Sequence, residues 1–301
     1  MSHSHGHEAG RGSAALGVTL LLVGGYAIVE LVGGLFTESL ALLADAGHML
    51  ADVFAIALAL FARWLARKPA TLQRSFGFRR AEILAALANG VALAAISIWI
   101  FVEAAQRLSD PPDVLGGWML AIAVVGLGVN LAAASILRDH GGNLNVQAAF
   151  RHVVADTLGS VGTIVAGIVI LTTGWEYADP LVGAAIGVLV LLSSWTIVRD
   201  SLRILLEATP AGIDAGEVGR RMAAAEGIVE VHDLHIWTIT SGFASLSAHV
   251  LVRGGDDCHA RRRELEAMLA REFGLEHTTL QVDHVGEHTG LQISQLEQRR
   301  G

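Results

Sequence analysis

The sequence predicts an α-helical membrane protein with six transmembrane helices, followed by a small cytoplasmic α+β domain. Three observations predict it. Hydrophobic residues make up 52% of the 301-residue chain and charged residues 17%, with a mean hydropathy of +0.51, which is too apolar for an ordinary soluble domain. Six apolar segments, at 14–36, 39–65, 82–107, 115–137, 148–173 and 179–205, are each long enough to cross about 30 Å of hydrocarbon at about 1.5 Å per residue. After Glu207 the apolar runs shorten and charge returns.

Charge and cysteine usage exclude several classes of function. With a formal net charge of -8 and Lys68 as the sole lysine, nucleic acid is not a partner. Cys258 is the single cysteine, so an intramolecular disulfide, a Cys-based zinc knuckle and a redox pair are all excluded. The amino terminus is polar, with His3, His5 and His7, and lacks the basic stretch and short apolar core of a cleavable signal, so the first span is expected to be retained.

In chain order, residues 1–13 read as a His-rich, solvated cytoplasmic tail with almost nothing to bury, either a loose metal chelator or of no consequence. Residues 14–206 form the membrane domain. Basic residues set its orientation. The connection between spans two and three carries Arg63, Arg67, Lys68, Arg74, Arg79 and Arg80, and that between four and five carries Arg138 and Arg151. The opposite connections hold little beyond Arg107, which lies near Asp110 and Asp113, so both termini are expected to be cytoplasmic. Gly24-Gly25, Gly33-Gly34, Gly159, Gly162 and the pair Gly183 and Gly187 stand where helices could approach closely, although for any single pair the general abundance of glycine in membrane helices is the favoured reading. Glu30, Asp45, Asn89, Glu103 and Asn130 are polar residues within spans. Some are expected to face a wet cavity, whereas Glu103 lies near an end and needs no role.

Residues 207–285 predict a two-layer domain in the order α-β-β-α-β: helix at 213–226, strands at 228–240 and 244–252 turning at Ser241-Gly242, helix at 256–273 and a last strand at 277–285. Residues 286–301 read as a C-terminal tail.

The chemistry concentrates in the second and fifth spans. His48 and Asp52 are four residues apart, as are His152 and Asp156, and on a helix each pair shares one face. With both termini inside, the two helices run antiparallel, which brings His48 to the depth of Asp156 and Asp52 to that of His152. Two imidazoles and two carboxylates suit a tetrahedral zinc ion, with cobalt, iron and cadmium less favoured. The carboxylates offset the ion's two charges, and no Lys or Arg lies mid-span to do so instead. Structural hydrogen bonding between helices is the competing reading. Asp45, three residues before His48, either accepts the imidazole N–H not used for metal or lines a solvent cavity.

The chain resembles the cation diffusion facilitator family, its zinc-exporting branch in particular. The resemblance rests on the run from Ser39 through Leu40, Asp45 and His48 to Asp52, on Phe76-Gly77-Phe78-Arg79-Arg80-Ala81-Glu82, on His152 to Asp156, and on Val231-His232-Asp233-Leu234-His235-Ile236-Trp237. It implies a homodimeric zinc/proton antiporter, not an enzyme, with a transport site of His48, Asp52, His152 and Asp156. It also implies a metallochaperone-like cytoplasmic domain that helps the dimer form and holds structural or regulatory zinc. Carried over by position, the ligands there are His232, His249 and Asp283, with His259 a further candidate. A regular strand sends His232 and His235 to opposite faces, so one of them is expected to join His249. The further metal site that some family members carry between spans two and three is expected to be absent, because Arg74-Ser75-Phe76-Gly77-Phe78 offers no ligands. The long His-rich loop of some relatives is missing too, with His140 alone in residues 138–147.

A membrane zinc enzyme would need an open coordination position and a base, typically His-Glu-x-x-His, which the sequence lacks. A metal sensor signalling through its cytoplasmic domain is the alternative to transport. Zinc and protons, with cadmium, cobalt or iron as further ions, and the lipid bilayer of a bacterial inner membrane are the expected partners and setting.

Overall fold

A computed structural model describes residues 5–138 and 144–286. His3, His140 and the tail at 287–301 lie outside the described residues. Among the described residues, six helices are long and apolar enough to cross a membrane. They are α1 (His5–Thr37), α2 (Leu40–Ala66), α3 (Ala81–Ser109), α4 (Gly116–Arg138), α5 (Leu144–Thr173) and α6 (Ala178–Leu205). The six expected spans therefore exist, within a few residues of the expected bounds. At the amino terminus α1 begins at His5, so from there the chain continues as helix where a tail was expected, and its membrane-length segment is Leu16–Thr37.

Contacts divide the chain into two compact units. The first comprises the chain up to Trp64 together with Leu84–Arg199; the second comprises Leu65–Ile83 and the chain from Asp200 onward.

In the first unit the N-terminal half of α2 takes part in two apolar clusters. On one side Leu40, Ala44 and Ala51 pack with Leu93 and Ile100 of α3 and with Ile186 and Val190 of α6. On the other, Ala41 and Leu42 pack with Met119 and Ala123 of α4 and with Ala166 and Ile170 of α5. The outward faces remain apolar, with Leu21, Leu192 and Trp195 among many exposed large side chains, as a lipid-facing surface requires. Gly183 permits a close approach of α6 to α2, since a Cβ there would sit 2.9 Å from Leu40 Cγ and 3.3 Å from the Ala41 backbone nitrogen. Gly25, expected to serve the same purpose, faces open space.

The second unit contains α7 (Ala215–Ala223), β1 (Ile228–Thr240), β2 (Phe243–Val252), α8 (Cys258–Phe273) and β3 (His277–His284). The order α-β-β-α-β is as expected. Asp214 and Asp257 cap the two helices, each accepting two backbone N–H groups of the first turn. Those hydrogen bonds, first among them the one from Ala260, hold the Asp257 carboxyl below the usual carboxylate range. The sheet has the order β1-β2-β3, antiparallel in the hairpin and parallel between β2 and β3, with α8 as the crossover. Val218, Met222, Leu246, Val250, Leu265 and Leu269 fill the core between helices and sheet.

The connection between α2 and α3 belongs to this unit. Thr240 donates to Glu82 at 2.8 Å, and the Arg79 guanidinium lies 4.6 Å from the centre of the Phe243 ring. Arg80 pairs with Glu207 at 2.8 Å, but the two side chains are 40% and 60% exposed, so this contact is a solvated surface pair.

Candidate metal centre

The geometry begins where α2 starts. Asp179, completely buried in the first turn of α6, accepts from the Ser39 hydroxyl at 2.6 Å and from the backbone N–H groups of Leu40 at 2.7 Å and Ala41 at 3.1 Å. These are the free donors of a helix N-terminus, so Asp179 caps α2 from another helix. Arg107 stands beside it at 3.8 Å and is itself held by Glu103 at 2.9 Å and by the Glu38 carbonyl. Arg107 therefore balances Asp179 and Glu103, with Glu103 holding it in place. Sequence reasoning passed over Asp179; its signal was an acid in the first turn of an apolar span.

Two turns further along α2, four side chains meet. His152 Nε2 lies 2.8 Å from Asp52 Oδ2, and His48 Nε2 lies 3.6 Å from Asp156 Oδ1. Within each helix the spacing of four brings His48 to 3.5 Å from Asp52 and His152 to 3.8 Å from Asp156. Each histidine thus reaches both carboxylates, and the imidazole rings cross at 63° with centres 5.6 Å apart. Ligand atoms of His48, Asp52 and His152 lie within 4.8 Å of one another, and Asp156 completes the group through its contacts to both histidines. Asp156 is nearly buried while His152 is half exposed, and a cavity of about 230 Å³ opens beside them, lined by Asp45, His48, His152, Asp156, Gly159 and Ser193.

Two nitrogens and two carboxylates so arranged can close around one small divalent ion with modest shifts, since zinc holds both donor types at about 2.0–2.2 Å. Of the two readings of Asp45, the hydrogen bond to His48 is not made, since His48 Nδ1 and Asp45 Oδ2 are both buried without a partner, whereas Asp45 does line the cavity. Asp45 also lies against α5, where a Cβ on Gly159 would sit 3.2 Å from its Oδ1.

Two models for one family match this chain: the cation efflux transmembrane domain over residues 16–206, and the cation efflux protein cytoplasmic domain over residues 210–285. The chain belongs to the cation diffusion facilitator family, in its zinc-exporting branch. It is 41% identical over 309 residues to a cadmium, cobalt and zinc/H(+)-K(+) antiporter of Bacillus velezensis, covering 100% of this chain and 98% of that one. It is 40% identical over 297 residues to the zinc transporter ZitB of Escherichia coli, covering 94% of this chain and 93% of that one. Among solved structures, the metal-bound C-terminal domain of the CzcD transporter is 39% identical, covering 24% of this chain and 99% of that one with a TM-score of 0.23.

In the cytoplasmic domain His232 and His249 stand directly opposite each other on β1 and β2, with ring centres 5.4 Å apart. Asp283 pairs in register with Leu251, two residues beyond His249, and accepts from Gln281 at 2.8 Å. The expected alternation of His232 and His235 fails for a local reason. A bulge between them, with Asp233 at φ 53°, adds a residue, so His235 pairs with Ser247 and lies on the same sheet face as His232 and His249. His235 is turned toward Asp233 at 2.9 Å. His259 is exposed in the first turn of α8.

Proposed function

We propose that this chain is a secondary active transporter that moves zinc out of the cytoplasm in exchange for protons, holding the ion between α2 and α5 on His48, Asp52, His152 and Asp156. The observation that supports this most is the mutual reach of the four side chains across two antiparallel helices, with nitrogen and carboxylate corners alternating. Two ionised aspartates offset the charge of a divalent ion at that depth. Metal binding needs neutral histidine and ionised aspartate, so protons compete with the ion and drive its release. Rocking of the helices about the centre exposes it to each side in turn.

Zinc is the first cargo, with cadmium, cobalt and iron following; cadmium and cobalt appear beside zinc in a relative's name. The protein acts as a homodimer in a bacterial inner membrane with both termini in the cytoplasm. Residues 14–206 carry the ion, and 207–285 bind regulatory or structural zinc and support the dimer. Within that domain the opposed pair His232 and His249 nucleates the site and Asp283 joins it by a side-chain movement. Four protein donors at the transport centre leave no position for a catalytic water, so the chemistry is transport and not hydrolysis.

The test is zinc entry into sealed proteoliposomes of the purified protein under an imposed pH gradient. Zinc binding without any zinc entry would favour a metal sensor.

A further inference from the structure

The connection between α2 and α3 carries a feature used neither by the metal centre nor by the contacts with β1 and β2. Thr71 and Arg74 exchange two backbone hydrogen bonds, at 3.1 Å and 3.0 Å, and so close a tight turn with Leu72 and Gln73 at its tip. The base of the turn is fixed as well. Gly77 donates its N–H to the Arg74 carbonyl at 2.9 Å. It has φ 64°, and a Cβ there would meet the Lys68 carbonyl oxygen at 3.5 Å, so the strand of chain returns close beside the one that leaves α2. The Arg74 guanidinium lies 4.5 Å from the centre of the Phe78 ring. On this ordered turn Leu72 is 106% exposed.

One exposed leucine on a soluble domain needs no explanation. This one stands six residues past the end of α2 at Ala66, a stretch of chain that spans at most about 20 Å. The last turns of α2 already face lipid, with Phe61 57% and Trp64 56% exposed, and a tryptophan at the end of a span marks the headgroup level. The charge pattern around the turn is one-sided. No Asp or Glu lies between Asp52 and Glu82, whereas six Arg or Lys residues do, in a chain whose net charge is -8. Arg79 and Arg80 are engaged with Phe243 and Glu207. Arg67, Lys68 and Arg74 flank the turn and are exposed.

We propose that the turn from Thr71 to Arg74 is a membrane anchor, which seats Leu72 at the boundary of headgroups and acyl chains while Arg67, Lys68 and Arg74 meet the phosphates of anionic lipids. An apolar tip ringed by cations is complementary to a surface that is anionic outside and apolar just beneath. A second copy of the chain is a poorer fit, because meeting this turn with its own across a two-fold axis sets cation against cation. The lipid-facing surface of α2 thus continues into the connection. Its effect is to hold the end of α2 that follows His48 and Asp52 at a fixed depth.

The test places the full-length protein in lipid nanodiscs. Cys258→Ser removes the native thiol, and Leu72→Cys then carries an environment-sensitive fluorophore. In discs containing phosphatidylglycerol, emission is expected to shift to the blue, to be quenched by nitroxide on the upper acyl chain, and to be several-fold less sensitive to aqueous iodide than the free dye. Phosphatidylcholine alone, or high salt, should reduce the shift, because the cationic contacts are screened or lost. Water-like emission quenched by iodide in anionic discs overturns the proposal. So does protection from both quenchers whatever the lipid, which is the result expected of docking on a second copy. Should the labelled variant misfold, the wild type still decides. Hydrogen exchange across residues 67–76 is expected to be several-fold slower in phosphatidylglycerol discs than in phosphatidylcholine discs, and equal exchange overturns the proposal.

Discussion

Asp156→Ala is the most demanding single test of the metal centre. The Asp156 side chain is 5% exposed and stands 3.6 Å from His48 and 3.8 Å from His152, whereas Asp52 is 28% exposed. Removing Asp156 leaves a divalent ion half compensated at the most buried corner of the centre. Breaking such a buried pairing costs about 3–5 kcal/mol. At about 1.4 kcal/mol per tenfold, zinc binding should weaken on the order of a hundred- to several-thousandfold. Asp52→Ala admits water and loses a charged hydrogen bond worth about 1.5–3 kcal/mol, on the order of ten- to a hundredfold. Both variants should insert normally, because neither residue joins the apolar packing around α2. Zinc titration of the purified variants and zinc flux in proteoliposomes read the effect. Wild-type flux in Asp156→Ala, or a larger loss from Asp52→Ala, would refute the reasoning.

Three further outcomes are expected. His48→Asp exchanges a nitrogen corner for an oxygen, so cadmium transport should rise relative to zinc; an unchanged ratio places selectivity elsewhere. Asp179→Ala leaves two backbone N–H groups and one hydroxyl at the start of α2 without their buried acceptor, and should cost about 2–5 kcal/mol. A thermal unfolding midpoint equal to that of the wild type would contradict the capping role. For Arg80 and Glu207, exposure limits the pair to below about 1 kcal/mol, so a double-mutant cycle of Glu207→Arg and Arg80→Glu should show near-additive effects on stability. A coupling well above about 1 kcal/mol would contradict the reading of a solvated surface pair.

The spans were legible because apolar length is a direct readout of bilayer thickness, and the spacing of four placed each histidine with its aspartate on one face. The depth matching of His48 with Asp156 and Asp52 with His152 followed from antiparallel direction alone, and the structure shows those pairs at 3.6 and 2.8 Å. What escaped the sequence depends on long-range geometry. Asp179 caps a helix 138–140 residues away. The bulge at Asp233 adds one residue to β1, which no periodicity of the flanking strand announces, and it places His235 beside His232. The exposure of Arg80 and Glu207, which decides the energy of their pairing, likewise depends on packing. Asp45 was visible as a polar residue near His48, yet it lies against Gly159 and leaves His48 Nδ1 without a partner.

Proton movement coupled to zinc movement in sealed vesicles bears most directly on the account. With a pH-sensitive dye on the proton side and a zinc reporter on the other, adding zinc to proteoliposomes of the wild-type protein should produce simultaneous zinc entry and proton exit. Both signals should be abolished together in Asp156→Ala. Zinc entry with no proton signal, or a proton signal that survives in Asp156→Ala, would contradict exchange through the centre formed by His48, Asp52, His152 and Asp156.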